Sequence, residues 1–128
     1  MAEAREPFSI DLLGLDIGQR RVNRLKEYYE KKGKLCLENA IFFTGVDLIV
    51  ISRKTGKVLE VLEVTNYNNR REWINEMKMD RYIASLGLFD QLPRVRKTLI
   101  VSYKENVAGY EERLRQSGIT VRALGKQD

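Results

Sequence analysis

Two carboxylates carry the chemistry this sequence offers. Asp47 opens the run Asp47, Leu48, Ile49, Val50, Ile51, and Glu63 lies near the end of a second run, Val58 to Thr65. Both runs are apolar and rich in β-branched residues. The polar stretch Ser52 to Lys57 between them holds one glycine, Gly56. That is the pattern of a β-hairpin. A three-residue loop of Lys54, Thr55 and Gly56, with Gly56 at positive φ, is a common connection. It pairs Arg53 with Lys57, and therefore Ile51 with Leu59, Ile49 with Val61 and Asp47 with Glu63. A four-residue loop would move every pairing by one. In the three-residue register Leu59, Val61, Glu63 and Thr65 share one side of the sheet, and Val58, Glu60, Leu62 and Val64 share the other. Glu60 then reads as a solvent-side or structural residue near the turn. Opposed residues have Cβ atoms about 4.5–5.5 Å apart, so two carboxylates there repel unless a proton or a cation lies between them. Two hard oxygen donors on neighbouring strands suit Mg²⁺ or Mn²⁺. The competing arrangement pairs Glu63 with a Lys or Arg from the next helix.

An Asp before a hairpin, then Glu63-Val64-Thr65 and a helix, resembles the PD-(D/E)xK nuclease superfamily, the restriction-endonuclease-like fold. In layout the chain is similar to archaeal Holliday-junction resolvases. The family pattern has an Asp at the start of its second strand and Glu-x-Lys at the end of its third. Asp47 and Glu63 match, and Thr65 stands where the family has Lys. The resemblance implies a metal-dependent DNA endonuclease, with Mg²⁺ (or Mn²⁺) held by Asp47, Glu63 and the Val64 carbonyl. It implies a DNA partner, branched DNA included, and a homodimer, because one metal site cuts one strand. The family Lys orients the attacking water, and Thr65 offers one neutral hydrogen bond instead. Lys78 and Tyr82 have the spacing of the Gln-x-x-x-Tyr pair of RecB-type members. Lys78 is therefore a candidate for a relocated catalytic cation, its alternative being a surface lysine. The resolvases carry a metal-site Glu on their first helix, where this chain has Arg24 or its neighbours. Glu38 is either a wet-face carboxylate or a stand-in for that Glu. The alternative to an enzyme is a non-catalytic nucleic-acid-binding protein that keeps the fold.

The elements that must position these residues follow from periodicity. Ile17 to Lys32 reads as a helix with a core stripe of Val22, Leu25, Tyr28 and Tyr29, stopped by Gly33. Its Arg20, Arg21 and Arg24 form a cationic face, either solvated or touching phosphates. Lys34 to Phe43 reads as the first strand, and the hairpin supplies two more. Asn69 is placed to cap a helix from Arg70 to Leu86, whose apolar side is Trp73, Met77, Met79, Ile83 and Leu86. Arg70, Arg71 and Tyr82 join the candidate nucleic-acid contacts. Lys97 to Tyr103 reads as a buried parallel strand. Asn106 caps a last helix with Val107, Tyr110 and Leu114 inward, and Ile119 to Leu124 is the fifth strand. The expected class is α/β, with a mixed five-stranded sheet in α-β-β-β-α-β-α-β order. It forms a single domain over 1–128, with an arm at 1–16, a core at 17–124 and a tail at 125–128.

Composition narrows the function. The 128 residues contain no histidine, which excludes Ser-His, Cys-His and His-ligated zinc chemistry. A net charge of +5 suits a polyanionic partner. The single cysteine, Cys36, forms no internal disulfide, and the start of the chain lacks the cationic and long apolar regions of a signal peptide. A reducing, cytoplasmic setting is expected. No stretch approaches the roughly 18 apolar residues of a membrane span.

Overall fold

The computed structural model describes residues 13–38, 46–92 and 94–125. Helix α1 (Leu13–Lys31) leads into strands β1 (Lys34–Glu38), β2 (Leu48–Ser52) and β3 (Val58–Val64). Helix α2 (Glu76–Gly87), strand β4 (Arg96–Val101), a 3₁₀ turn (Lys104–Val107), helix α3 (Glu111–Gln116) and strand β5 (Ile119–Ala123) complete the chain. The strands form one sheet in the order β1-β2-β3-β4-β5, antiparallel through β3 and parallel from β3 to β5. The expected mixed α/β sheet and element order are therefore observed. Residues 1–12, 39–45, 93 and 126–128 lie outside the described residues, and with them most of the expected arm and tail and the far end of the first strand.

The sheet separates two cores. On one side α1 packs Val22, Leu25 and Tyr29 onto Cys36, Leu48, Val50, Leu62, Val64 and Ile100. On the other, Ile49, Val61, Leu99 and Val101 meet Met79 and Leu86 of α2, Leu114 of α3 and the loop residues Ile74 and Phe89. Alternation along β3 thus sends Glu60, Leu62 and Val64 to the α1 side, and Val61 and Glu63 to the α2 side. Both faces of the central strands are covered, which is why β4 reads as an unbroken apolar run. No helix among the described residues is long and apolar enough to cross a membrane.

Several local expectations are corrected. The Ser52 N–H donates to the Lys57 carbonyl (2.9 Å) and the Gly56 N–H to the Ser52 carbonyl (2.8 Å). The loop therefore has four residues, Arg53 to Gly56, not three, and Gly56 does take positive φ (73°). Ile51 faces Val58 rather than Leu59, but a bulge absorbs Leu59 and restores Val50↔Glu60, Ile49↔Val61 and Leu48↔Leu62. Past the bulge the sides exchange, and Val58 packs with the α2-side core. Tyr28 is 46% exposed and leaves the α1 stripe. Helix α2 starts at Glu76, not Arg70, because Asn75 rather than Asn69 accepts the capping bond, from the Lys78 N–H. Trp73 and Met77 then fall outside its apolar side and are 66% and 73% exposed.

Asn106 does not cap α3. It is fully buried, its Nδ2 donating to the carbonyls of Asn69 (2.8 Å) and Glu72 (2.7 Å) while its Oδ1 accepts the Tyr103 N–H (3.0 Å). One side chain so pins the loop between β3 and α2 to the turn after β4. Replacing it removes three hydrogen bonds made by a buried side chain to part-buried backbone groups, so Asn106→Ala is expected to lower the unfolding free energy by about 2–3 kcal/mol in urea titrations. A loss within about 0.5 kcal/mol, typical of surface changes, would show that the loop holds without it.

Candidate functional site

The open end of the β2–β3 hairpin brings Asp47 and Glu63 together. The paired ladder stops at Leu48↔Leu62, and Asp47 sits in a bend one residue before it. Its N–H donates to the Leu62 carbonyl (3.1 Å), and its Oδ2 accepts the Val64 N–H (2.7 Å). The Asp47 side chain thus continues the ladder where the backbone has left it. Glu63, 5% exposed, hydrogen-bonds the Asp47 carboxyl from the neighbouring strand.

Two carboxyl groups at hydrogen-bonding distance share one proton. Burial raises the pKa of Asp47, against the Val64 N–H and the bond from Glu63, which lower it. Glu63 is pushed up to about 9, first by burial, then by the charge of Asp47 and the bond between them. The Ser85 side chain and the Asp47 N–H oppose that rise without cancelling it. At neutral pH the pair therefore holds one proton between its two carboxyl groups. Among the described residues no lysine or arginine pairs with Glu63, so the competing ion pair with the next helix is not formed.

Glu60 shows what a structural carboxylate looks like on the same strand. It is 2% exposed on the α1 side, and is met by Tyr29 Oη (2.6 Å), Thr98 Oγ1 (2.5 Å) and Arg96 (3.3 Å). Far from being solvent-side, it is fully satisfied. The Tyr29 phenol, pushed up to about 12 by burial and then by Glu60, stays protonated and donates.

Around the acid pair stand residues of α2 and of the loop before it. Tyr82 is half-buried, and its pKa is raised by burial first and then by the charges of Glu63, Tyr67 and Asp47. Lys78 Nζ lies 5.1 Å from the centroid of the Tyr67 ring. Lys78 and Tyr82 thus face the same aromatic neighbour, one turn apart on α2. Ser85 and Tyr67, which complete this wall, carry no motif of their own; only the helical spacing from Tyr82 places Ser85 near.

Other candidates are placed elsewhere. Thr65 is fully buried and its hydroxyl donates to the Ile100 carbonyl (2.9 Å), so its proton is already committed. Glu38 is exposed and pairs with Leu48, whose side chain lies in the α1-side core; it is on the opposite face of the sheet from the acid pair. Arg21 is not on a phosphate-contacting face. It is fully buried, and its guanidinium donates to the carbonyls of Thr65 and Tyr67, to Asn68 Oδ1 and to Ser102 Oγ. Arg20 is half-buried and Arg24 exposed on α1. Arg71 is exposed, while Arg70 lies over the Tyr103 ring (4.3 Å) and pairs with Glu105 (3.2 Å).

The donor set fits a hard divalent cation in kind. It offers two carboxylates that repel without a positive charge between them, here a proton. Among the described residues no third His, Cys, Asp or Glu joins them, so the remaining positions would fall to the Val64 carbonyl, to water and to substrate oxygens.

No protein-family model and no curated protein matches the chain. Its fold is shared with solved structures. A repair endonuclease from Pyrococcus abyssi superposes with a TM-score of 0.52 at 20% identity, and EndoMS, solved in a complex with double-stranded DNA, with a TM-score of 0.58 at 17% identity. Each match covers 98% of this chain and 50% of the other, so the chain spans half the length of these relatives. The likeness confirms the restriction-endonuclease-like α/β architecture.

The shared proton has a measurable consequence. Between the ordinary carboxyl value of 4.5 and about 9, the folded pair retains a proton that the unfolded chain has released. Stability therefore falls as pH rises through that window and levels off above it. In EDTA, Tm measured from pH 5 to 9 is expected to decline in the wild type and to be flatter in Glu63→Gln. Equal slopes in the two proteins would show that Glu63 does not share in holding the proton.

Proposed function

We propose that this chain is a Mg²⁺- or Mn²⁺-dependent DNA endonuclease of the PD-(D/E)xK kind. The observation that carries the reading is the pairing of half-buried Asp47 with buried Glu63, which no cationic side chain among the described residues neutralises, at the strand end where that superfamily keeps its metal. The DNA partner is supported by the fold shared with a repair endonuclease and with a protein solved on double-stranded DNA. The net charge of +5 agrees with it. A branched substrate, a homodimer and a cytoplasmic setting extend the same proposal.

Asp47, Glu63 and the Val64 carbonyl would hold the ion. The Val64 N–H fixes the Asp47 carboxylate, so that ligand is oriented before anything binds, and Ser85 stands beside Glu63. When bound, a divalent ion acidifies a water and offsets charge on the leaving oxygen. Occupancy requires the pair to release its proton, so metal affinity rises with pH up to about 9. The cation that the family draws from its Lys is missing at Thr65, whose hydroxyl is bound to Ile100. Lys78 is the replacement we favour, since it stands on the helix that also carries Tyr82 and Ser85 toward the pair. The occupied Thr65 hydroxyl also favours a second reading, a nucleic-acid-binding protein that keeps the fold without the reaction.

Supercoiled, linear and branched DNA incubated with Mg²⁺ or Mn²⁺ separates the two. Cleavage by the wild type that falls by at least about 100-fold in Asp47→Ala and Glu63→Ala supports the enzyme. Salt-sensitive binding with no cleavage supports the binding protein. Lys78→Ala is expected to slow cleavage by roughly 100-fold with little change in binding. Full activity in that variant would remove Lys78 from the mechanism.

A further inference from the structure

The segment between β3 and α2 is held more firmly than an ordinary loop. Asn69 Oδ1 accepts the Arg71 N–H (2.8 Å), its carbonyl accepts the Glu72 N–H (3.1 Å), and the Glu72 carboxylate accepts the Asn68 N–H (3.1 Å). Asn106 clamps the carbonyls of Asn69 and Glu72 from below. Ile74 is 1% exposed in the core, and Asn75 caps the helix that follows. Within this pinned frame Trp73, the only tryptophan of the chain, is 66% exposed. A flexible loop could turn its largest apolar side chain inward; this one is built to present it. An indole is among the largest apolar surfaces a side chain can bury, and the fold forgoes most of that burial here.

What Trp73 faces is set by its neighbours. In sequence it lies between the acid-bearing strand and Lys78, with Arg71 two residues before it and Glu72 between them, whose carboxylate is bound to the Asn68 N–H. Arg71 is exposed and forms no ion pair among the described residues. Arg70 is taken up by Tyr103 and Glu105, so the indole has one available cation near it in sequence, Arg71; a flat aromatic face with such a cation suits a nucleobase and its phosphate. Trp73 and the exposed Met77 alone are far short of the roughly 800 Å² per partner of a stable protein interface. Inside a duplex both faces of a base are covered by its neighbours, so an indole finds a free face only where a nucleotide is unpaired.

We propose that Trp73 is a stacking platform for an unpaired nucleotide, so that the chain prefers single-stranded or locally unpaired DNA to continuous duplex. This rests on the nucleic-acid partner proposed above, but not on catalysis. The indole takes the base, Arg71 takes the adjacent phosphate, and the rigid loop sets the distance from the stacked nucleotide to the acid pair. Stacking tolerates any base, so the selection is for strandedness rather than sequence.

The lone tryptophan is its own probe. The full chain in EDTA, where cleavage is prevented, is titrated with an oligothymidine 12-mer and with a blunt duplex, following Trp fluorescence and the anisotropy of labelled DNA. The oligothymidine is expected to quench the indole. Trp73→Ala should weaken its binding about tenfold, Trp73→Phe should retain most of it, and duplex affinity should change by less than about twofold. Circular dichroism checks that the variants fold. Absence of quenching, equal weakening on both DNAs, or unchanged affinity in Trp73→Ala would overturn the proposal. So would self-association abolished by Trp73→Ala in sedimentation without quenching, which would make the indole a contact between copies. Quenching without cleavage in Mg²⁺ retains the platform and rejects the nuclease; cleavage without quenching does the reverse.

Discussion

Two carboxylates that ought to repel are held against one another, and the hairpin is shaped to hold them there. Asp47 has left the ladder, yet its N–H still bonds Leu62 and its carboxylate takes the Val64 N–H, so its position is fixed by both neighbours of Glu63. Glu63 approaches the same point from β3, with Ser85 of α2 close enough to offset part of the rise in its pKa. A proton meets the electrostatic requirement in the free chain. Glu60 is the internal control: the same residue type, three positions earlier, is given an arginine, a phenol and a hydroxyl. A fold able to neutralise one buried glutamate so fully has left the other to a proton. That contrast is what supports the proposal that the pair is a site rather than an ordinary buried acid.

On the reverse face a buried arginine does complementary work. Arg21 reaches from α1 past the ends of β3 and β4 and gathers Thr65, Tyr67, Asn68 and Ser102. Burial lowers its pKa without discharging a guanidinium, so the charge must be spread over carbonyls and a hydroxyl. The segment leaving β3 is thereby fixed before it turns toward Trp73. Tyr67, tied by its carbonyl to Arg21, offers its ring to Lys78. Arg21 and Lys78 thus meet the same residue, one at its backbone and the other at its ring. The exit from the acid-bearing strand is positioned from both sides of the sheet.

Much of this was legible in the sequence, and the gaps have physical causes. Apolar periodicity gave the eight elements and the parallel half because both faces of the sheet are buried. The hairpin register was anticipated for the acids from the wrong loop length; Leu59, absorbed in a bulge, corrects for the fourth loop residue. Nothing in a run of Val, Leu and Glu marks which residue will bulge. Arg21 was read as surface because it is charged, and no local pattern reveals that a long side chain will reach four acceptors distant in sequence. The start of α2 was misplaced because Asn69 and Asn75 are equally good caps by type. Asn106 decides between them by engaging the carbonyls of Asn69 and Glu72, which ends any helix there.

That misplacement bears on function. Had α2 begun at Arg70, Trp73 would lie on a helix face and its exposure would be an accident of amphipathic spacing. Because the helix begins at Glu76, the residues from Thr65 to Asn75 form a separate unit, pinned by Arg21 at one end and Asn106 at the other. It joins the strand that supplies Glu63 to the helix that supplies Lys78, Tyr82 and Ser85. A rigid connector there gives the acid pair, the lysine and the indole a fixed spacing although they come from three elements. A change in any one of those clamps should therefore disturb all three groups together, whereas a change at Glu60 should disturb only the sheet.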